Sequence, residues 1–130
     1  MDKLNAQATI LVVEDEEPIR RLIVATLSKD GHLVIEAHDP FEAAAMMGAG
    51  LFDVDVLIAD IVMPNMTGDV FAAEMRAMLP KIKIIFATGS NIDDLKKKPT
   101  FDALLQKPYS AEALREAVRS VLGERDSGRK

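Results

Sequence analysis

The sequence predicts an α/β domain built as a doubly wound parallel sheet, and three observations carry that prediction. Short apolar runs rich in β-branched residues alternate with helical periodicities along the chain, which is the pattern of strands buried on both faces and joined by helical crossovers. Each helical segment has one apolar stripe, so each is expected to cover the sheet from one side. The length of 130 residues suits one domain and is enough to bury a core without disulfide or metal staples.

In chain order, residues 10–13 are the first strand, nearly continuous in apolar character. Ile19, Leu22, Ile23 and Leu27 then recur at helical spacing, and Gly31 reads as the stop. Residues 33–37 form a weaker strand, expected further out in the sheet. Asp39 before Pro40, with Glu42 in the first turn, reads as the start of a second helix. Residues 56–59 are a central strand. Phe71, Met75, Met78 and Leu79 mark the next helix, and residues 84–87 the next central strand. The following crossover, 91–101, is expected to hold a short or irregular helix, because Pro99 follows Lys96, Lys97 and Lys98 where a helix would otherwise run. Residues 103–105 are a second outer strand. Ser110 reads as the cap of a last helix carrying Leu114, Ala117, Val118, Val121 and Leu122, with Gly123 as its stop. The order βαβαβαβ(α)βα implies five parallel strands, helices on both faces and right-handed crossovers. Residues 1–123 are expected to form the domain and 124–130 a flexible tail.

Composition narrows the function. The 16 basic and 21 acidic residues leave a formal charge of -5, against a nucleic-acid partner, which would need a basic stripe. No apolar run approaches the roughly 20 residues that cross a bilayer, and residues 1–7 lack the basic and apolar regions of a signal peptide. The absence of cysteine removes thiolate metal sites and suits a reducing cytoplasm, the expected location.

The chemistry is positional. Several strands end in a polar residue that a buried strand does not otherwise favour: Glu14 and Asp15 after Val13, Asp60 after Ala59, Thr88 after Ala87, and Lys107 after Gln106. In an open parallel sheet the carboxyl ends of the strands share one edge, where ligands bind. Two carboxylates about 4 Å apart repel by roughly 4 kcal/mol at an effective dielectric near 20, so Glu14, Asp15 and Asp60 together need compensation. Lys107 supplies one positive charge. A hard divalent cation with oxygen ligands supplies the rest, Mg²⁺ before Mn²⁺, because Mg²⁺ takes few protein ligands and keeps positions for a phosphate. Thr88 adds a hydroxyl donor.

These residues resemble those of bacterial response-regulator receiver domains over nearly the whole chain. The matching stretches are Val12-Val13-Glu14-Asp15-Glu16, Asp60-Ile61-Val62-Met63-Pro64 with Gly68, Thr88-Gly89, and Lys107-Pro108. The resemblance implies a flavodoxin-like fold with strand order 2-1-3-4-5. It also implies two-component signalling, in which a histidine kinase or histidine phosphotransfer protein passes a phosphoryl group to Asp60. Asp15 would ligate Mg²⁺ directly, Glu14 through water, and the Val62 main-chain carbonyl would complete the protein's share beside Asp60. Thr88 and Lys107 would hold phosphoryl oxygens, and the Lys107-Pro108 bond would be cis. Such a domain is not an enzyme on other substrates. It signals through protein contacts or onward transfer, and a monomer or weak dimer is expected.

The sequence also departs from the family pattern. Leu104 stands where many members have an aromatic residue that rotates inward, and Gly89 where alanine is usual. Val62 and Ser90 flank the site without a carboxylate or amide to orient an attacking water, so slow self-hydrolysis is expected. Three rivals stay open: a degenerate receiver that binds partners without phosphorylation, an aspartyl-nucleophile phosphohydrolase, and a flavodoxin-like cofactor carrier. The hydrolase usually has a second acid where Val62 stands. The carrier is opposed by the acidic first loop, which would repel a phosphate. Each residue also has a plainer reading: Glu14, Asp15, Glu16 and Glu17 as acids at a helix N-terminus, Thr88 and Lys107 as ordinary strand-end groups, His32 and His38 as surface residues, and Met46, Met47, Met75 and Met78 as core filler.

Overall fold

The computed structural model describes residues 8–50, 53–63, 66–89 and 100–127, and for Met63, Met66 and 124–127 only the backbone. Five parallel strands form the main sheet: β1 (Thr9–Val13), β2 (Leu33–Ala37), β3 (Val56–Asp60), β6 (Lys83–Thr88) and β7 (Ala103–Gln106). Their order is β2-β1-β3-β6-β7, which is 2-1-3-4-5 when the main strands alone are counted. The two weaker strands are the edges, as expected. A two-stranded antiparallel ribbon, β4 (Val62–Met63) and β5 (Met66–Thr67), follows β3; the sequence reading did not foresee it.

Alternate strand residues point to opposite faces, and the core divides accordingly. Leu11, Val13, Leu57, Ala59, Ile84 and Phe86 pack on one face against Ala43 and Met47 of α2 (Pro40–Gly48) and Phe71, Ala72 and Met75 of α3 (Gly68–Met78). Ile10, Val12, Val56, Ile58 and Ile85 pack on the other against Ile23 and Leu27 of α1 (Glu17–Lys29) and Leu114, Val118 and Val121 of α4 (Ala111–Ser127). The central strand β3 is buried at every position, which explains its unbroken apolar run.

Helix ends follow from local chemistry. Asp39 caps α2 by accepting from the Glu42 N–H at 2.7 Å, and Ser110 Oγ accepts from the Ala113 N–H at 3.0 Å. Helix α1 ends in a paired turn, with His32 N–H donating to the Leu27 carbonyl and Gly31 N–H to that of Ser28. Gly31 takes φ +95° there, open to glycine without a Cβ penalty. Gly123 does not stop α4, which continues to Ser127: helical hydrogen bonding tolerates one glycine at a cost of about 1 kcal/mol. Leu22 and Met78, counted in apolar stripes, are exposed, because the buried faces run through Ile23, Thr26 and Leu27 in α1 and through Phe71, Ala72 and Met75 in α3. The irregular helix expected in 91–101, with Lys96, Lys97, Lys98 and Pro99, lies outside the described residues apart from Thr100 and Phe101, which are not helical.

Candidate functional site

Parallel pairing carries the candidate residues to one rim. Val13 lies beside Ala59, Asp60 beside Ala87, and Thr88 beside Gln106. The ladder runs one step past three strand ends: Glu14 N–H donates to the Ala37 carbonyl, Ile61 N–H to that of Ala87, and Lys107 N–H to that of Thr88. Glu14, Asp15 and Asp60 each place a carboxylate oxygen within 4.8 Å of the other two. Asp15, Asp60, Val62, Thr88, Gly89 and Lys107 line one cavity of about 250 Å³.

The turn after β3 depends on Gly68. A Cβ there would lie 2.8 Å from the Ile61 Cα and carbonyl oxygen and 3.0 Å from the Phe86 ring, and the Gly68 N–H donates to that same carbonyl. Only a residue without a side chain lets α3 begin this close to the strand that carries Asp60.

Glu14 and Asp60 are buried while Asp15 is exposed. Burial, reinforced by the Asp60 charge, pushes the Glu14 carboxyl up to about 7, although the Glu16 N–H and Lys107 oppose the shift. Burial likewise raises Asp60, with Lys107 pulling it back and Asp15 adding to the rise. Burial alone would lower Lys107, but Asp60 and then Glu14 outweigh it and hold the ammonium charged. The Lys107 Nζ lies 2.8 Å from Asp60 Oδ1 and 3.4 Å from Glu14 Oε1. The Lys107 ammonium is thus the charged partner of the buried Oδ1.

One ammonium facing three carboxylates leaves a local negative excess. That excess fits a hard divalent cation bound through oxygen. The sequence-predicted residues Glu14, Asp15, Asp60, Val62, Thr88 and Lys107 are therefore brought together, and the Lys107-Pro108 bond is cis. Ser90 lies outside the described residues. Leu104 is half-buried against the α2–α3 side of the core, where an aliphatic side chain packs without a polar tip to place.

Two residues escaped the sequence reading. Arg20 reaches from α1 to the Glu14 carbonyl. Tyr109 buries its hydroxyl without a hydrogen-bond partner among the described residues, and burial first, then the Glu14 charge, pushes it up to about 12. Neither carries a spacing signal, since one arginine among helix-surface charges and one tyrosine after a proline are unremarkable in sequence. His32, read as a surface residue, is half-buried: its Nδ1 accepts from the Ala8 N–H at 3.1 Å, and burial lowers its pKa.

Comparison with known proteins decides the family: residues 10–119 match the response regulator receiver domain model. The chain belongs to that family. It is 36% identical to the sensor kinase CckA of Brucella abortus over 95% of its own length, while spanning 13% of that protein. It is 34% identical to the chemotaxis protein CheY1 of Helicobacter pylori, over 90% of this chain and 98% of that one. The crystal structure of a response regulator receiver protein from Sinorhizobium medicae superposes with a TM-score of 0.81 at 26% identity, covering 92% of this chain and 97% of that chain. This receiver domain is thus a signalling module with the acidic cluster at which such domains bind Mg²⁺. No helix among the described residues is long and apolar enough to cross a membrane.

Proposed function

We propose that this receiver domain accepts a phosphoryl group on Asp60 from the phosphohistidine of a histidine kinase or histidine phosphotransfer protein. The observation that carries the reading is the convergence of three carboxylates, one lysine and one threonine on a single rim. The Asp60 carboxylate attacks phosphorus, the P–N bond to the donor imidazole breaks, and an acyl phosphate forms as the imidazole leaves.

In this reading Glu14, Asp15, Asp60 and the Val62 carbonyl hold Mg²⁺, for which Mn²⁺ can substitute. The cation offsets charge on the transferred oxygens. Lys107 pairs with Asp60 before transfer and with a phosphoryl oxygen afterwards, and the Thr88 hydroxyl donates to another. The domain works in the cytoplasm as a monomer or weak dimer, with no nucleic acid or membrane partner, and passes its state on by protein contact or onward transfer.

Acetyl phosphate with Mg²⁺, followed by intact mass, tests the reading. A single phosphoryl adduct is expected in the parent and none in Asp60→Asn. No adduct under any metal condition would favour a partner-binding domain that works without phosphorylation. Val62 is 67% exposed at the cavity mouth and offers water no polar guide, so Val62→Asn is expected to shed the phosphoryl group faster than the parent. Equal loss of label from the two would remove Val62 as the cause of slow hydrolysis.

A further inference from the structure

We propose that Arg20 is a positioning residue for the acidic turn: it fixes the main chain at Glu14, with Glu36 as its counter-ion, so that the Glu14 and Asp15 carboxylates face Asp60. This rests on the reading of those carboxylates as cation ligands. Arg20 Nη1 donates to the Glu14 carbonyl oxygen at 2.8 Å, and its Nε donates to Glu36 Oε1 at 3.1 Å. One planar group thereby ties α1, the end of β1 and the edge strand β2 together.

The neighbouring arginine gives an internal contrast. Arg21 is 75% exposed and pairs within its own helix with Glu17 at 2.9 Å, an arrangement worth a few tenths of a kcal/mol. The Arg20 side chain is only 16% exposed and turns inward to a backbone carbonyl.

Glu14 is held at each of its polar groups. Its N–H donates to the Ala37 carbonyl, its Oε2 accepts from the Glu16 N–H, its Oε1 lies near Lys107, and its carbonyl accepts from Arg20. Arg20 alone among these holders reaches in from a helix without lining the acidic cavity. Grooves of about 490 and 230 Å³ flank the Arg20–Glu36 pair, so the pair spans otherwise open space. A guanidinium can serve a carbonyl and a carboxylate at once from its rigid fork, which a lysine ammonium cannot reproduce. Groups that orient metal ligands typically change metal affinity by about 10–100-fold when removed.

Two measurements on the full chain test the assignment: calorimetric titration with Mg²⁺, and amide hydrogen exchange at residues 14–16 in chelator. Arg20→Ala is expected to weaken Mg²⁺ binding about 10-fold and to speed exchange at the turn. Arg20→Lys should restore only part of the affinity, Glu36→Gln should shift both readouts less, and Arg21→Ala should shift neither. If Arg20→Ala does not fold, Arg20→Gln carries the same comparison. Mg²⁺ affinity within twofold of the parent would overturn the proposal, and faster exchange alongside that unchanged affinity would reduce Arg20 to a structural brace. A parent that takes no Mg²⁺ would show that the cation reading itself has failed, and the proposal would fall with it.

Discussion

The two ends of the same parallel sheet use acidic residues in opposite ways. At the ends where the strands begin, Asp55 Oδ2 accepts from the Thr9 N–H at 2.9 Å and Asp102 Oδ2 from the Ile84 N–H at 2.7 Å. Each acid precedes one strand and closes the first rung of its neighbour. At the ends where the strands finish, Glu14, Asp15 and Asp60 face one another around one lysine. The cause is the direction of the backbone. Strand starts leave N–H groups in want of acceptors, so a carboxylate there completes the hydrogen-bonding account. Strand ends leave carbonyls, so carboxylates there add acceptors to acceptors and need cations or donors from elsewhere. Function gathers at the end where the account does not close.

Substitutions at the two ends are expected to act in opposite ways. The largest effect is expected at the finishing end, where Asp60→Asn should abolish the phosphoryl adduct in intact mass while leaving the fold as stable as the parent or more so. Asp102→Ala should do the reverse, keeping phosphoryl uptake and losing stability. Equal phosphoryl loss in both would dissolve the contrast.

Next in size is Gly68→Ala. Its Cβ would meet backbone at 2.8 Å, and denaturant unfolding should show a loss of about 2–3 kcal/mol, as for other overpacked sites.

The pH dependence comes third. The Glu14 carboxyl titrates near 7 in the metal-free fold against 4.5 ordinarily, so the folded state holds this proton more tightly than the unfolded chain. Its contribution is fully present below about pH 4.5 and is lost as pH rises through about 7. Thermal unfolding in chelator should therefore weaken across that window. Mg²⁺ should offset the loss, since it favours the ionised carboxylates. A metal-free protein that gained stability through the window would contradict the unbalanced rim.

Asp102→Ala is expected to cost about 1–2 kcal/mol in denaturant unfolding, since it leaves a buried N–H without its acceptor. Gly89→Ala should be the smallest, within about 0.5 kcal/mol of the parent, because a Cβ there meets nothing within 4 Å.

Much of the site was legible because it rests on strand ends. Residues 10–13, 56–59 and 84–87 carry apolar runs that only a doubly covered strand explains, and the first polar residue after each is conspicuous. Arg20 was not legible, because its partner is a main-chain carbonyl and its neighbour Arg21 has the same side chain with a different role. The β4–β5 ribbon is two residues a side, too short to show a period. Gly123 misled because a glycine stops a helix only where the chain also turns.

The element order, the apolar faces and the polar residues waiting at strand ends follow from local periodicity and composition, and so are written in the amino-acid sequence. Packing decided which carboxylates meet, which one pairs most closely with Lys107, and which arginine turns inward. Those outcomes depend on strand register and on packing between segments dozens of residues apart, and burial then raises the Glu14 and Asp60 carboxyls.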